Sequence, residues 1–490
     1  MRSIRLRFSS GHALVLGALA PLCMLLFWRT RYEWAGPVLV ALGVIVALVT
    51  FRGRRVTGWM AAAGAWLVRR RRPLDAPSEP VIGATVQPGD HVAVRWQGKS
   101  LVAVIELIPR PFTPTVIVDG KANTDDVVDT RLLERLLSVN CPDLEADIVS
   151  AGYRVGSVAA PAVTGLYEQV IERDPAPSHR RTWIVVRADP RRAARSAQRR
   201  DAGVPGLARY VVASTTRIAD QLAGHGVDAV CARSFDDFDQ ATEIGFEREK
   251  WSTIKGPRGF TTAYTAPGGP DVWWSAPADH TITRVRVAAG MAPRSTVLLT
   301  TQDKPRKRRG FTRVSGGQRA ALHGENVVPD RHWQLPVGSA GVLVGETASH
   351  YPVYLPFDDV DASITLGGAR TFVQFAVRAA AAGGRVTLGP QFLEFAELIG
   401  AQTGPKAKVA WPGSTTYLGD HPGVDRVTLR HNMISTPRHA RLPIRPITPP
   451  EESRYEQALP KAGAPRPEAR GPAPAAVAGN LVRAHPAESP

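Results

Sequence analysis

Two aspartate clusters are the first places where residue type and spacing suggest chemistry: Asp236-Asp237-Phe238-Asp239 and Asp358-Asp359-Val360-Asp361. Each contains an Asp-x-Asp, the pattern with which glycosyltransferases hold a divalent cation and a nucleotide-sugar diphosphate. A membrane-anchored, glycosyltransferase-like enzyme is therefore the alternative function to be weighed. Short acid-rich runs are common, however, and the first cluster follows Ser234 at a helix start, where acids complement the helix dipole. Helix capping or a solvated loop is the stronger expectation for both. A third candidate is the glycine turn LGGARTF, Leu366–Phe372, placed between a strand and a helix as phosphate-binding turns are. It lacks the lysine and hydroxyl of GxxxxGK[ST] and is not GxGxxG, so a tight connection with close-packed glycines is expected instead.

The remaining chemistry-bearing residues are dispersed. Twelve histidines form no HxH or HExxH pair, so spacing nominates neither zinc nor a general base. There is no GxSxG elbow. Cys23, Cys141 and Cys231 lie far apart with no CxxC, which suits a reducing compartment and argues against a disulfide framework or structural zinc. The basic runs Arg191–Arg200 and Lys304–Arg309 lack interleaved aromatics, so they read as solvated surface rather than a nucleic-acid site. Trp273 and Trp274 read as buried strand aromatics. The expectation is no catalytic residue, no cofactor-binding residue, no metal ligand and no enzymatic activity.

The elements around these residues indicate α/β architecture. Residues 52–80 form a basic segment and linker, closed by the proline-bearing Pro73–Pro80. A main cytosolic α/β domain is expected over 81–302, with strands at Val92–Trp96, Leu101–Leu107, Thr115–Val118, Thr182–Ala188 and Val227–Ala232. Helices are expected over 125–139, with Leu132, Leu133, Leu136 and Leu137 on one face, and over 206–223. Leu144–Val158 reads as one or two strands. The strand–helix order predicts a sheet that is at least partly parallel. From Asp271 to Thr301 the pattern becomes β-like, beginning with Val-Trp-Trp. A basic linker over 303–329 leads to a second, smaller α/β unit over 330–441. Its best-defined part is a strand, turn, helix, Gly-Gly stop and strand over 362–389. Residues 442–490 are Pro- and Ala-rich with little apolar periodicity, so a disordered tail is expected.

Those domains stand behind a membrane anchor. After a cytoplasmic tail, residues 1–11, come two uncharged apolar runs, His12–Trp28 and Ala35–Phe51. Each makes about 25 Å of helix, close to a hydrocarbon core of about 30 Å. The first run has no small-residue cleavage site after it, so a retained transmembrane hairpin over 12–51 is expected rather than a signal peptide. Gly11, Gly17, Gly36 and Gly43 are candidates for close helix packing in lipid. Arg2, Arg5 and Arg7 precede the first run, and Arg52, Arg54, Arg55, Arg69, Arg70, Arg71 and Arg72 follow the second, whereas the connecting loop has only Arg29 and Arg31. Arginines favour the cytoplasmic side, so both termini are placed there.

The same arginines account for most of the net charge of +17, because residues 1–72 carry twelve Arg and a single acidic residue. That excess lies where anionic headgroups attract arginines by about 1 kcal/mol each, so inner-membrane lipid is the expected partner and nucleic acid is not. Between the two halves of this collar lies Val56–Val68, too short to span. It reads either as a helix in the interface or as a cytoplasmic continuation of the second membrane helix.

The order of parts, with the strings GDHVAVRWQGKSLVAVIELIPRPFTPTVIVDG, LLSVNCPDLEADIVSAGYRVG, RSFDDFDQATEIGF, REKWSTIKG, APGGPDVWWSA, ADHTITRVRVA, VAWPGSTTYLG and LPIRPITPPEESRYEQALPK, resembles EccE, the E component of the mycobacterial type VII (ESX) secretion system. The resemblance runs to about Lys461 and is closest to the branch from the first, virulence-associated ESX locus. It implies a multi-pass plasma-membrane protein and a structural subunit of the secretion core complex, supporting export of small virulence-type proteins across the inner membrane. It also implies the B, C and D components as partners, with C the ATPase. It carries over no active-site residue and no cofactor.

Overall fold

Apolar side chains between positions 100 and 301 alternate between two faces, as half-buried strands require. The computed structural model of the chain describes residues 92–322, 324, 328–430, 433–438 and 442–445, together with helix Val56–Arg69, the short strands Ile4–Leu6, Val49–Phe51 and Arg54–Arg55, and residue Val38. Twelve strands join in one sheet whose main path is Ala229–Cys231, Ser100–Leu107, His179–Ala188, Leu144–Tyr153, His280–Ala288, Met291–Thr301, Gly259–Thr265, Thr253–Gly256 and Arg248–Lys250. On one face Leu101, Ala103, Ile105, Ile148, Ile184, Val186 and Val285 pack with Leu133, Leu137, Val211, Ile218 and Leu222 of helices Thr130–Asn140 and Gly203–Gly224. On the other, Val102, Val104, Val149, Trp183, Val185 and Ile282 meet Phe235, Phe238 and Ala321.

The partly parallel sheet expected here is instead antiparallel at every pairing. The reason lies in the connection between Leu144–Tyr153 and His179–Ala188. Its helix, Pro161–Ile171, does not cross over the sheet, because Val163, Leu166, Tyr167 and Ile171 are buried in a different core. That second core also takes Phe112 and Ile117 from within 81–302 and continues through residues 340–444. It is built on an eight-stranded sheet, a four-stranded sheet and helix Ala369–Ala381. Parallel pairing does occur here, where Ala362–Leu366 lies between Ser414–Leu418 and Asp425–Arg430. The Gly-Gly stop after the helix is sterically required: Gly383 has φ +98°, and a Cβ there would lie 2.7 Å from the Tyr153 hydroxyl.

Several local expectations are corrected. The helix expected over 125–139 starts at Thr130, because Val127–Asp129 pairs as a strand with Gln334–Pro336 and the Asp129 carboxylate accepts from Arg131 N. Val-Trp-Trp is helical, in Pro270–Trp274, with both tryptophans buried and Trp273 Nε1 donating to Ala266 O at 2.6 Å. The basic stretch after Asp189 is a helix, Pro190–Gln198, that buries Ala193 and Ala197. Regular structure continues past the expected start of the tail, since Leu442–Pro443 is a strand and Ile444 is buried. The expected helix 35–51 gives way at its end to the strand Val49–Phe51, which pairs with Ile4–Leu6 and Arg54–Arg55. The rest of both apolar runs, apart from Val38, lies outside the described residues, as does the tail from 446 onward. Among the described residues no helix is long and apolar enough to cross a membrane.

One carboxylate organises the middle of the large sheet. Asp147 is completely buried on the central strand Leu144–Tyr153. Its register places Arg286 directly opposite, and Arg284 and Arg187 two positions along the ladder on the two flanking strands, where they share its face. It accepts from Arg187 Nε at 2.8 Å, Arg284 Nη1 at 2.9 Å and Arg286 Nε at 2.6 Å. Burial opposes its charge, but Arg187, Arg286 and Arg284 overcome that and hold its carboxyl well below the usual range. Replacing it strands buried guanidiniums, so Asp147→Asn should cost about 3–5 kcal/mol in denaturant unfolding of the detergent-solubilised protein. A loss below about 1 kcal/mol would show that the arginines are satisfied without it.

Candidate functional site

Helix Val56–Arg69 lies within the basic collar, after the strand Arg54–Arg55, and packs against the edge of the twelve-stranded sheet. Strands Arg248–Lys250 and Thr253–Gly256 form the edge hairpin, leaving Trp251 in the turn between them. Trp59 and Trp66, two helical turns apart, both close on Trp251, with ring centroids 5.9 and 5.6 Å away and Trp66 edge-on. Such aromatic pairs contribute about 0.5–1.5 kcal/mol each beyond the area they bury. The floor of this seat is Gly316, whose N–H donates to Trp251 O at 2.7 Å. Its φ of +71° and the Trp251 ring 2.6 Å from where a Cβ would sit leave room only for glycine. The helix is not a continuation of the second apolar run, because strands Val49–Phe51 and Arg54–Arg55 intervene. Of the collar arginines, Arg54, Arg55 and Arg69 have a described backbone; Arg52, Arg70, Arg71 and Arg72, like Gly11, Gly17, Gly36 and Gly43, lie outside the described residues.

The first aspartate cluster is taken up by arginines, whereas in the second Asp359 is pushed up to about 8 by desolvation and then by the nearby Asp358 and Asp126. Asp239 is held bidentately by the buried Arg95, and Asp237 lies 3.6 Å from Arg181, which also pairs with Glu106. All three acids of helix Asp236–Thr242, Asp236, Asp237 and Asp239, occupy its first turn, where they complement the dipole. In the second cluster Asp358 is buried and accepts from Ser339 Oγ at 2.6 Å, with His179 Nδ1 2.8 Å away. Asp361 points elsewhere and accepts from Thr415 N at 2.7 Å. Among the described residues no three His, Cys, Asp or Glu side chains converge as metal ligands. The LGGARTF turn packs on its neighbour strand, Gly367 N donating to Leu429 O at 2.9 Å.

Asp358 belongs instead to a polar junction between the two cores. His179 and Arg180 begin a central strand of the large sheet, whereas Ser339 and Asp358 come from the second body. Arg180 Nε donates to Gly338 O at 2.8 Å, and its backbone N–H donates to Ser339 Oγ at 2.8 Å. Burial pulls the Arg180 guanidinium down to about 10, against the pull of Asp126 and Asp358. Burial also raises Asp126, partly offset by the Arg110 N–H at 3.1 Å. Arg110, Asp126, Arg180 and Ser339 border a cavity of about 10 Å³, the size of roughly one water molecule. That is far below the 300–1,000 Å³ or so of a small-molecule site. The arrangement can lock two bodies together; it has no room for a substrate.

The chain is similar along nearly its whole length to known proteins. A family model described as "Putative type VII ESX secretion system translocon, EccE" matches residues 176–266, which run from the polar junction through the Trp251 hairpin to the strand beside it. The ESX-1 secretion system protein EccE1 of Mycobacterium tuberculosis is 72% identical over 456 residues, 93% of this chain and 99% of that protein. The chain belongs to the EccE family. EccE1 of Mycolicibacterium smegmatis is 61% identical over 459 residues, covering 94% of this chain and 99% of its own. The ESX-5 secretion system protein EccE5 of Mycobacterium marinum is 27% identical over 366 residues, 65% of this chain and 87% of that protein. Within this EccE-family chain, two features escaped the reading of motifs. Trp251 stands alone in a polar string, and its partners Trp59 and Trp66 are distant in sequence; their helical spacing was the one available signal. The junction pairs residues 179 and 358, a separation no local pattern reports.

Close to the junction, His280 heads a central strand of the large sheet. Burial, then the charge of Arg258, lowers it to about 4 from 6.5. Its folded state therefore resists protonation, and the unfolded state binds more protons between those values. Stability from this group is full above about pH 6.5 and falls by at most about 3 kcal/mol towards pH 4. His280→Gln should flatten that part of the pH profile of thermal unfolding. A variant profile parallel to the wild type would show that His280 titrates normally in the folded protein.

Proposed function

We propose that the chain is a structural subunit of an ESX secretion core complex, anchored in the plasma membrane by the hairpin 12–51 with both termini cytoplasmic. Membership of the EccE family over more than nine-tenths of the chain carries this reading. The antiparallel pairing of Ile4–Leu6 with Val49–Phe51 supports the topology, because it brings the start of the first run and the end of the second to the same place. The arginine collar, from Arg52 to Arg72, then lies at the cytoplasmic leaflet. Residues 303–329 are not a linker between the two packed bodies but part of the large sheet, since Thr312–Arg313 and Val328–Pro329 pair with its strands and Val314 and Ala321 are buried in its core. The two bodies act together as a cytosolic interaction unit. Its partners are the B, C and D membrane components, of which C is the ATPase.

A non-catalytic role is supported by the engagement of Asp237, Asp239, Asp358 and Asp361 in ion pairs and internal hydrogen bonds. Purification in mild detergent followed by mass spectrometry should recover the protein with the ATPase and the other membrane subunits, and deletion should abolish substrate export. A free monomer, with export surviving deletion, would overturn the assignment. Asp237→Asn and Asp359→Asn should each leave export at the wild-type level. Asp237 is exposed, and the Asp359 carboxyl, pushed up to about 8 by desolvation and by the nearby Asp358, is largely uncharged at neutral pH, so the amide replaces it without loss of a charge. Loss of export with normal assembly in either variant would revive an enzymatic reading.

A further inference from the structure

Helix Val56–Arg69 has a second face that the sheet does not use. Trp59, Ala62 and Trp66 turn towards Trp251 and Gly316. Met60, Leu67 and Val68 point away and are 65, 54 and 63% exposed. Their spacing, with exposed Gly64 between, places them on one apolar stripe. The helix contains no acidic residue in its first turn or anywhere along its length. Arg54 and Arg55 precede it, and Arg69, Arg70, Arg71 and Arg72 follow it. An apolar stripe between two clusters of arginines matches a surface that is apolar beneath and diffusely negative above. A groove on a protein would need to supply the apolar lining and enough carboxylates at both ends of one short helix; an anionic leaflet supplies both at every point.

We propose that this helix is a two-faced strut: Trp59 and Trp66 grip Trp251 while Met60, Leu67 and Val68 sit in the headgroup layer of an anionic leaflet. The inference rests on the hairpin anchor proposed above and adds an orientation to it. The edge hairpin of the twelve-stranded sheet, at Arg248–Gly256, is thereby fastened at the membrane surface, which fixes the orientation of the large sheet. The Trp251 seat is what transmits the constraint, because Gly316 admits no other side chain beneath the ring.

Full-length protein with Cys23→Ser, Cys141→Ala and Cys231→Ser carries a single fluorophore on Leu67→Cys, Ala62→Cys or the exposed-helix control Val139→Cys. It is reconstituted in nanodiscs of phosphatidylglycerol with phosphatidylcholine, or of phosphatidylcholine alone, containing lipids brominated near the headgroup. The label on Leu67→Cys should be quenched by bromine several-fold more than the other two, more strongly with phosphatidylglycerol, and less at high salt. Adding Trp251→Ala should leave that quenching in place but release the domain, seen as faster rotational decay of the Val139→Cys label. Iodide quenching of the Leu67→Cys label equal to that of Val139→Cys would overturn the proposal. Protection from both quenchers would also overturn it, since protein would then cover the face. Failure of the chain to enter nanodiscs, or its release from membranes by alkaline carbonate, would instead refute the hairpin anchor itself.

Discussion

A single buried carboxylate, Asp147, sets the terms for the large sheet. Three strands meet where its oxygens accept from Arg187, Arg284 and Arg286, and all four side chains lie on the face opposite the main helical layer. A slip of one residue in either flanking strand would move those arginines to the apolar face and leave Asp147 uncompensated. The ion cluster therefore specifies register where apolar alternation alone would permit several pairings. With register fixed, His179 and Arg180 arrive at one end of their strand beside Ser339 and Asp358. The large sheet thus determines how the second body is attached.

That attachment and the tryptophan seat make a chain of rigid connections. Helix Val56–Arg69 holds the edge hairpin through Trp251. The hairpin is continuous by hydrogen bonding with Gly259–Thr265 and Met291–Thr301, and so with the Asp147 strands. Those strands end at the polar junction with the second body. Polar groups at the junction are costly to separate, because Arg180 and Asp358 would each lose buried partners. The cavity there admits about one water, and Arg180, Ser339 and Asp358 tie the two bodies together around it. This is the architecture expected of a subunit whose job is to hold surfaces in place.

Much of this was legible in the sequence where the signal is local. The strands Leu101–Leu107, Thr115–Val118 and Thr182–Ala188, the long helix ending at Gly224 and the strand–turn–helix–stop–strand over 362–389 all follow from periodicity and glycine placement. Sheet direction was not legible, because strand–helix–strand order implies a parallel pair only when the helix packs back on the same sheet. Helix Pro161–Ile171 packs on the other core, and nothing in its own residues announces that choice. Val-Trp-Trp misled for a related reason: bulky aromatics favour strands in general, yet Pro270 opens a helical turn that Trp273 closes by donating to Ala266.

The candidate site divides along the same line. The acidic clusters were visible as clusters, but their partners, Arg95 and Arg181 for the first and His179 and Ser339 for the second, come from elements far away in the chain. Weighing them as caps or solvated loops caught the first-turn acids of Asp236–Thr242 and missed the burial of Asp358. The arginine collar is legible without any contact, because charge asymmetry around apolar runs is a property of the sequence itself. It singled out Val56–Val68 but left open whether that segment lay flat or prolonged a membrane helix. Intervening strands at Val49–Phe51 and Arg54–Arg55 remove the second possibility. A helix cut off from the run before it, with tryptophans committed on one side and aliphatics bare on the other, is constrained by its two faces more than by its length.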